Sequence, residues 1–160
     1  RSSLVYLSEK SLTELVEETF HRTWPLVSII ATKTDIELHR KLSFSPKAME
    51  NLGAGWDLAM ERVGYSCRKG LKPGSPNQDS FCIIRVQGSF SIYGVFDGHG
   101  RNGHDVSDFV KEYLMKLLVS SEDLIEKPLA ALERAFDQTQ RLIEQATWSG
   151  AIDATRSGTT

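Results

Sequence analysis

Residues 80–100 read SFCIIRVQGSFSIYGVFDGHG, and this stretch decides the fold. Two short runs rich in β-branched and aromatic residues, 80–86 and 90–96, flank Gln87-Gly88-Ser89. A glycine in a three-residue loop between two such runs predicts a β-hairpin. Upstream, residues 62–68 predict a third short strand. Downstream, Val106, Phe109, Val110, Tyr113, Leu114, Leu117 and Leu118 recur at helical spacing and predict an amphipathic helix over 104–119. A second helix is predicted over 127–147, with Pro128 in its first turn and Leu129, Leu132, Phe136, Thr139, Ile143 and Ala146 as its apolar positions. A strand is expected again at 155–160. A hairpin, then two helices, then a strand predicts an α+β or layered α/β/α protein built on an antiparallel sheet.

The first 60 residues differ in character and are expected to form a helical extension and connector. Leu12, Leu15, Val16 and Phe20 predict a helix over 9–22, and Ser11-x-x-Glu14 is a capping-box pattern at its start. Trp24-Pro25 is expected to end it, because the residue before proline avoids helical dihedrals. Residues 26–31 fit a strand or part of a helix equally. Residues 41–55, with Pro46, Gly53 and Gly55, predict connector with a short helix at 46–52.

The chain has 160 residues, 40% hydrophobic and 25% charged, which is ordinary globular usage. Its formal net charge of −2 and lack of basic runs argue against a nucleic-acid surface, which needs clustered Lys and Arg. No apolar run reaches the roughly 18 residues of a membrane span. Cys67 and Cys82 each fall in a predicted strand and read as reduced core thiols, suited to a cytoplasmic or nuclear setting.

The chemistry lies at the strand ends. Asp97-Gly98-His99-Gly100 directly follows the run 90–96. A turn alone would explain Asp-Gly, but nothing about a turn requires the histidine. A carboxylate plus a close-approaching backbone carbonyl supplies the oxygen ligands that Mg²⁺ and Mn²⁺ prefer. A histidine beside them is a residue type suited to act as a general acid. Asn77-Gln78-Asp79 opens the first strand of the hairpin while Asp97 closes the second, so both carboxylates are expected at one end. His21, His39 and His104 read as surface or capping residues.

At these residues the chain resembles the metal-dependent protein serine/threonine phosphatases of the type 2C (PPM) family. Four segments carry the likeness: Gly64-Tyr65-Ser66 with Gly70, Asn77-Gln78-Asp79, Val95-Phe96-Asp97-Gly98-His99-Gly100, and Ser157-Gly158-Thr159-Thr160. The resemblance covers residues 62–160 and makes 61–160 the N-terminal part of the catalytic domain. It implies a four-layer α/β/β/α sandwich of antiparallel sheets flanked by helices, with two Mg²⁺ or Mn²⁺ ions at one end. Asp97 would bridge both ions, the Gly98 carbonyl would ligate one, and Asp79 would be a further ligand, partly through water. His99 would protonate the leaving Ser or Thr oxygen, and a metal-bridging water would be the nucleophile. The implied reaction is hydrolysis of phosphoserine and phosphothreonine in protein substrates.

Two positions depart from the family pattern. Gln78 stands where Glu is usual in the first acidic motif. Lys72 falls where many members place a phosphate-gripping Arg, with Arg68 as the other candidate; Lys lacks the planar fork of Arg. These departures leave room for a catalytically dead binding module, and an unrelated Mg²⁺-dependent hydrolase is a third reading. The family's later Asp-Gly and Asp-Asn motifs do not occur here, so the chain is expected to be truncated at Thr160. Alone it would be inactive, and it would need the remainder of its own catalytic domain as partner.

Overall fold

A computed structural model describes residues 10–20, 27–33, 44–53, 62–72 and 74–160. Helix α1 spans Leu12–Phe20. Its N-terminus is the predicted capping box: the Glu14 amide donates to Ser11 Oγ at 3.2 Å and the Ser11 amide to Glu14 Oε2 at 2.7 Å. Leu12, Val16 and Phe20, spaced by four, are its buried face. The expected helix stop at Trp24-Pro25 lies outside the described residues.

Strands β1 (Val27–Thr32), β2 (Met49–Gly53), β3 (Ser80–Val86) and β4 (Phe90–Phe96) form one antiparallel sheet in the order β2-β1-β3-β4. The hairpin and its α+β setting are as predicted. The stretch 26–31, ambiguous by periodicity, is strand from Val27 onward, where it is described. The short helix expected at 46–52 is not formed; β2 occupies that stretch, because pairing with β1 satisfies its backbone. Both strands come from the segment expected to be extension and connector, yet they share a sheet with the hairpin.

Residues 62–68 are not a strand either. Their alternation is real, with Cys67 buried and Ser66 and Arg68 exposed, but among the described residues the backbone pairing is confined to 67–69, which meet 44–47 around the isolated bridge Pro46–Arg68. Alternation reports which side chains are buried, not whether a ladder forms.

The hairpin continues past Asp97 into β5 (Gly98–Gly100), which pairs with β6 (Ser157–Thr159). Between them lie α2 (Gly103–Val119) and α3 (Pro128–Ser149), both within a few residues of their predicted bounds. One sheet face, with Ile29, Ala31, Cys82, Ile84 and Phe96, packs on α1 and on Val106, Val110, Leu114, Met115 and Leu118 of α2. The opposite face forms a smaller cluster of Ile30, Phe81 and Ile83 with Cys67, against which Val63 and Tyr65 pack. On that face Tyr93 is 58% and Val95 77% exposed.

Helix α3 corrects the expected apolar face. Thr139 and Ala146 are buried, but together with Ala131, Ala135 and Leu142, while Leu129 and Phe136 are exposed. Periodicity weighted by side-chain size selects the bulky residues. The helix instead seats its small residues, which allow the closest approach to α2.

Candidate active site

The register of the hairpin sets the geometry. Ser80 pairs with Phe96 at the last rung, so Asp79 and Asp97 stand opposite each other one step beyond it. Side chains alternate along a strand, and residues 79, 81, 83, 93, 95 and 97 share the face that the helices do not cover. There they line a cleft of about 540 Å³ with Tyr65, Ser66 and Arg68. Two carboxylates at one cleft mouth repel. The Asp79 carboxyl is raised above its usual range, first by lost hydration and then by the charge of Asp97, while Lys47 pulls it the other way.

The backbone of Asp79 is gripped from several sides. Its amide donates to Asn77 Oδ1 at 3.0 Å, and its carbonyl accepts from Lys47 Nζ at 2.7 Å. One residue earlier, Ser107 Oγ donates to the Gln78 carbonyl at 2.6 Å. The Gln78 side chain reaches the other motif, with Nε2 donating to the Gly100 carbonyl at 2.6 Å.

Asp97 is equally fixed. Its amide donates to the Thr160 carbonyl at 2.8 Å, and the Thr160 amide returns a bond to the Asp97 carbonyl at 3.1 Å. The first and last motifs of the C-terminal half are thus one two-stranded ladder. Gly98 is buried where the chain crosses α2: a Cβ there would lie 2.2 Å from the Gln78 carbonyl oxygen and 2.4 Å from that of Gly103. His99 is exposed, its Nδ1 3.4 Å from the Asp97 carbonyl oxygen, with its ring over Gly158.

Of the residues expected in the site, the structure brings Asp79, Asp97 and Arg68 to one cleft and sets Gly98 and His99 on the adjoining ladder. Lys72 is exposed and does not line the cleft. Among the described residues no group of three or more His, Cys, Asp or Glu side chains comes together. Asp79 and Asp97 are oxygen donors of the kind that could hold a hard cation.

Comparison with known proteins finds relatives of one family. The chain is 37% identical over 99 residues to Probable protein phosphatase 2C 35 of Arabidopsis thaliana, covering 58% of this chain and 27% of that protein. It is 31% identical over 121 residues to Probable protein phosphatase 2C 72 of the same plant, covering 69% of this chain and 36% of the relative. Probable protein phosphatase 2C 55 of Oryza sativa subsp. japonica is 32% identical over 77 residues, covering 48% and 20%. The chain belongs to the type 2C protein phosphatase family. No family model matches it, and no solved structure does. The chain spans about a quarter to a third of the length of the first two of these type 2C relatives.

Sequence reading missed the polar support beneath the two acidic motifs. Lys47 Nζ also donates to Ser80 Oγ at 3.0 Å and lies 3.6 Å from Asp108 Oδ1. Asp108 accepts from Ser80 Oγ at 2.6 Å and from Lys111 Nζ at 3.2 Å, and Lys111 donates to the Thr32 carbonyl at 2.6 Å. Lys47, Asp108 and Lys111 are all buried. Asp108 and Lys111, three apart on a helix, read as ordinary solvated charges. Lys47 lies in apparent connector. No signal in the sequence marks any of the three.

Proposed function

We propose that Asp79, Asp97 and the Gly98 carbonyl form part of a site for two Mg²⁺ or Mn²⁺ ions, with which the full-length protein hydrolyses phosphoserine and phosphothreonine in protein substrates. The observation that carries this reading is the register match of Asp79 and Asp97 at one cleft mouth. Bound there, the ions would lower the pKa of water and offset the charge on the phosphoryl oxygens. The two carboxylates are held on gripped backbone, so they need little reorganisation to receive a cation. Arg68, on the same cleft, carries the planar fork suited to a phosphate; Lys72, off the cleft, is the weaker candidate. His99, in the middle of β5, would be the proton donor to the leaving oxygen.

The remaining donors would come from the rest of the catalytic domain, in keeping with the small share of its relatives that this chain spans. We take 61–160 as the first portion of that domain, with β1 and β2 contributed by the segment before it. Its apolar sheet face, where Val95 is 77% exposed, suits the second sheet of a four-layer sandwich. A cytoplasmic or nuclear setting suits two buried, unpaired thiols. Among the described residues no helix is long and apolar enough to cross a membrane.

A binding module without catalysis rested on Gln78 and Lys72. Gln78 has a structural use as a strut, and Lys72 lies off the cleft, so neither favours that alternative.

The test is a phosphopeptide assay of full-length protein, wild type beside Asp97→Asn, titrated with Mg²⁺ and Mn²⁺. The expected loss exceeds the roughly 100-fold that an outer-shell change costs. Equal activity in the two proteins would sink the mechanism.

A further inference from the structure

We infer that Lys47 is a positioning residue for the metal site, acting through Asp79. The inference rests on the metal-dependent reading above.

Lys47 is 5% exposed, although lysine is almost never buried without a purpose for its charge. Its ammonium makes two donated contacts at the root of the first acidic motif, to the carbonyl of Asp79 and to the hydroxyl of Ser80. Ser80 Oγ spends its own proton on Asp108, so it can only accept from Lys47. The bond pattern therefore fixes the lysine as donor at both partners. It also fixes the peptide plane between residues 79 and 80, from which the Asp79 carboxylate is aimed into the cleft opposite Asp97.

The charge works in the same direction. Within this cluster two buried ammonium groups, Lys47 and Lys111, face one buried carboxylate, Asp108. A buried positive charge in excess is costly unless negative charge lies close by. Asp79, whose backbone carbonyl accepts from Lys47, brings a carboxylate close to that excess charge. Lys47 thus lets two carboxylates share one cleft mouth before any cation arrives. Without it, their repulsion and a loosened peptide would move Asp79 off its aim. Lys111, anchored on Thr32 and Asp108, holds the far side of the cluster and leaves Lys47 free to face Asp79.

The experiment measures Mn²⁺ binding by calorimetry, and the Mn²⁺ concentration for half-maximal activity, on full-length wild type, Lys47→Gln, Lys47→Met and Lys47→Arg. Lys47→Gln keeps a donor and polarity, so it remains informative where Lys47→Met does not fold. Loss of the charge is expected to weaken Mn²⁺ binding by about 10-fold to 100-fold, as outer-shell changes do. Activity at saturating Mn²⁺ should largely return, which a general loss of structure would not allow. Lys47→Arg should recover most of the binding. Wild-type Mn²⁺ affinity in Lys47→Gln, or an Arg variant no better than Gln, would overturn the inference. Asp97→Asn in the same titration separates the two readings. If it binds Mn²⁺ as wild type does, the metal site itself is wrong; if it loses binding while Lys47→Gln does not, only the role of Lys47 fails.

Discussion

Gln78 Nε2 donates to the carbonyl of Gly100 at 2.6 Å, across 22 residues of sequence. That bond joins the loop before β3 to the end of β5, so it ties the two acidic motifs together. It also explains how glutamine serves where the family usually has glutamate: a carboxylate cannot donate to a carbonyl. Gln78→Glu is therefore expected to lose the strut rather than improve the site. Gln78→Ala should cost about 0.5–1.5 kcal/mol, the net worth of a neutral hydrogen bond. Denaturant unfolding of the full-length protein checks both. A Gln78→Glu variant more stable and more active than wild type would refute the assignment.

Gly98 and Gly158 should respond differently to the same alanine. At Gly98 the added Cβ meets backbone oxygens at 2.2 and 2.4 Å, which cannot step aside. Gly98→Ala is expected to cost about 3 kcal/mol or more, the upper end of overpacking penalties. At Gly158 the clash is with the His99 ring, 2.8 Å from Nε2, and a side chain can rotate away. Gly158→Ala should therefore lose under about 1 kcal/mol of stability, below the usual overpacking cost. It should lower kcat by displacing His99. Paired unfolding curves and steady-state kinetics distinguish the two, and equal stability losses would contradict this account.

Cys82 sits fully buried in β3, and burial pushes its thiol up to about 12. The thiolate is the reactive form, so the native protein should resist alkylation of Cys82 at pH 8 and react only on unfolding. Mass spectrometry after iodoacetamide treatment, with and without denaturant, reads this directly. Rapid native labelling of Cys82 would mean that the α2 face of the sheet is not closed.

The capping box of α1 carries a pH signature. The Ser11 hydrogen bonds hold the Glu14 carboxyl below its ordinary value. A carboxyl depressed in the folded state contributes stability above its unfolded pKa and loses it as pH falls through the folded one. Glu14→Gln should then lower Tm at pH 7, and the gap to wild type should close on acidification below pH 4.5. A gap that stays constant with pH would assign the effect to packing instead.

Local pattern alone determined much of this protein. Two β-rich runs around a glycine loop can hardly avoid a hairpin, and a two-residue period then forces Asp79 and Asp97 to one end and one face. The helices of 104–119 and 127–147, the capping box at Ser11 and the four motifs are likewise readable, because each depends on neighbours within a few positions. Tertiary structure decided what depends on distant partners. Residues 27–32 became strand because β3 offered them a ladder, and Met49–Gly53 because β1 did. The buried face of α3 went to its alanines because α2 lies close. Asp97 met Thr160 from the far end of the helix pair, and Lys47 came beneath Asp79 from what looked like connector. A lysine in sequence carries no mark of burial. Only the walls around it decide whether its charge is lost to water or held against a carbonyl, a hydroxyl and a carboxylate, as at Lys47.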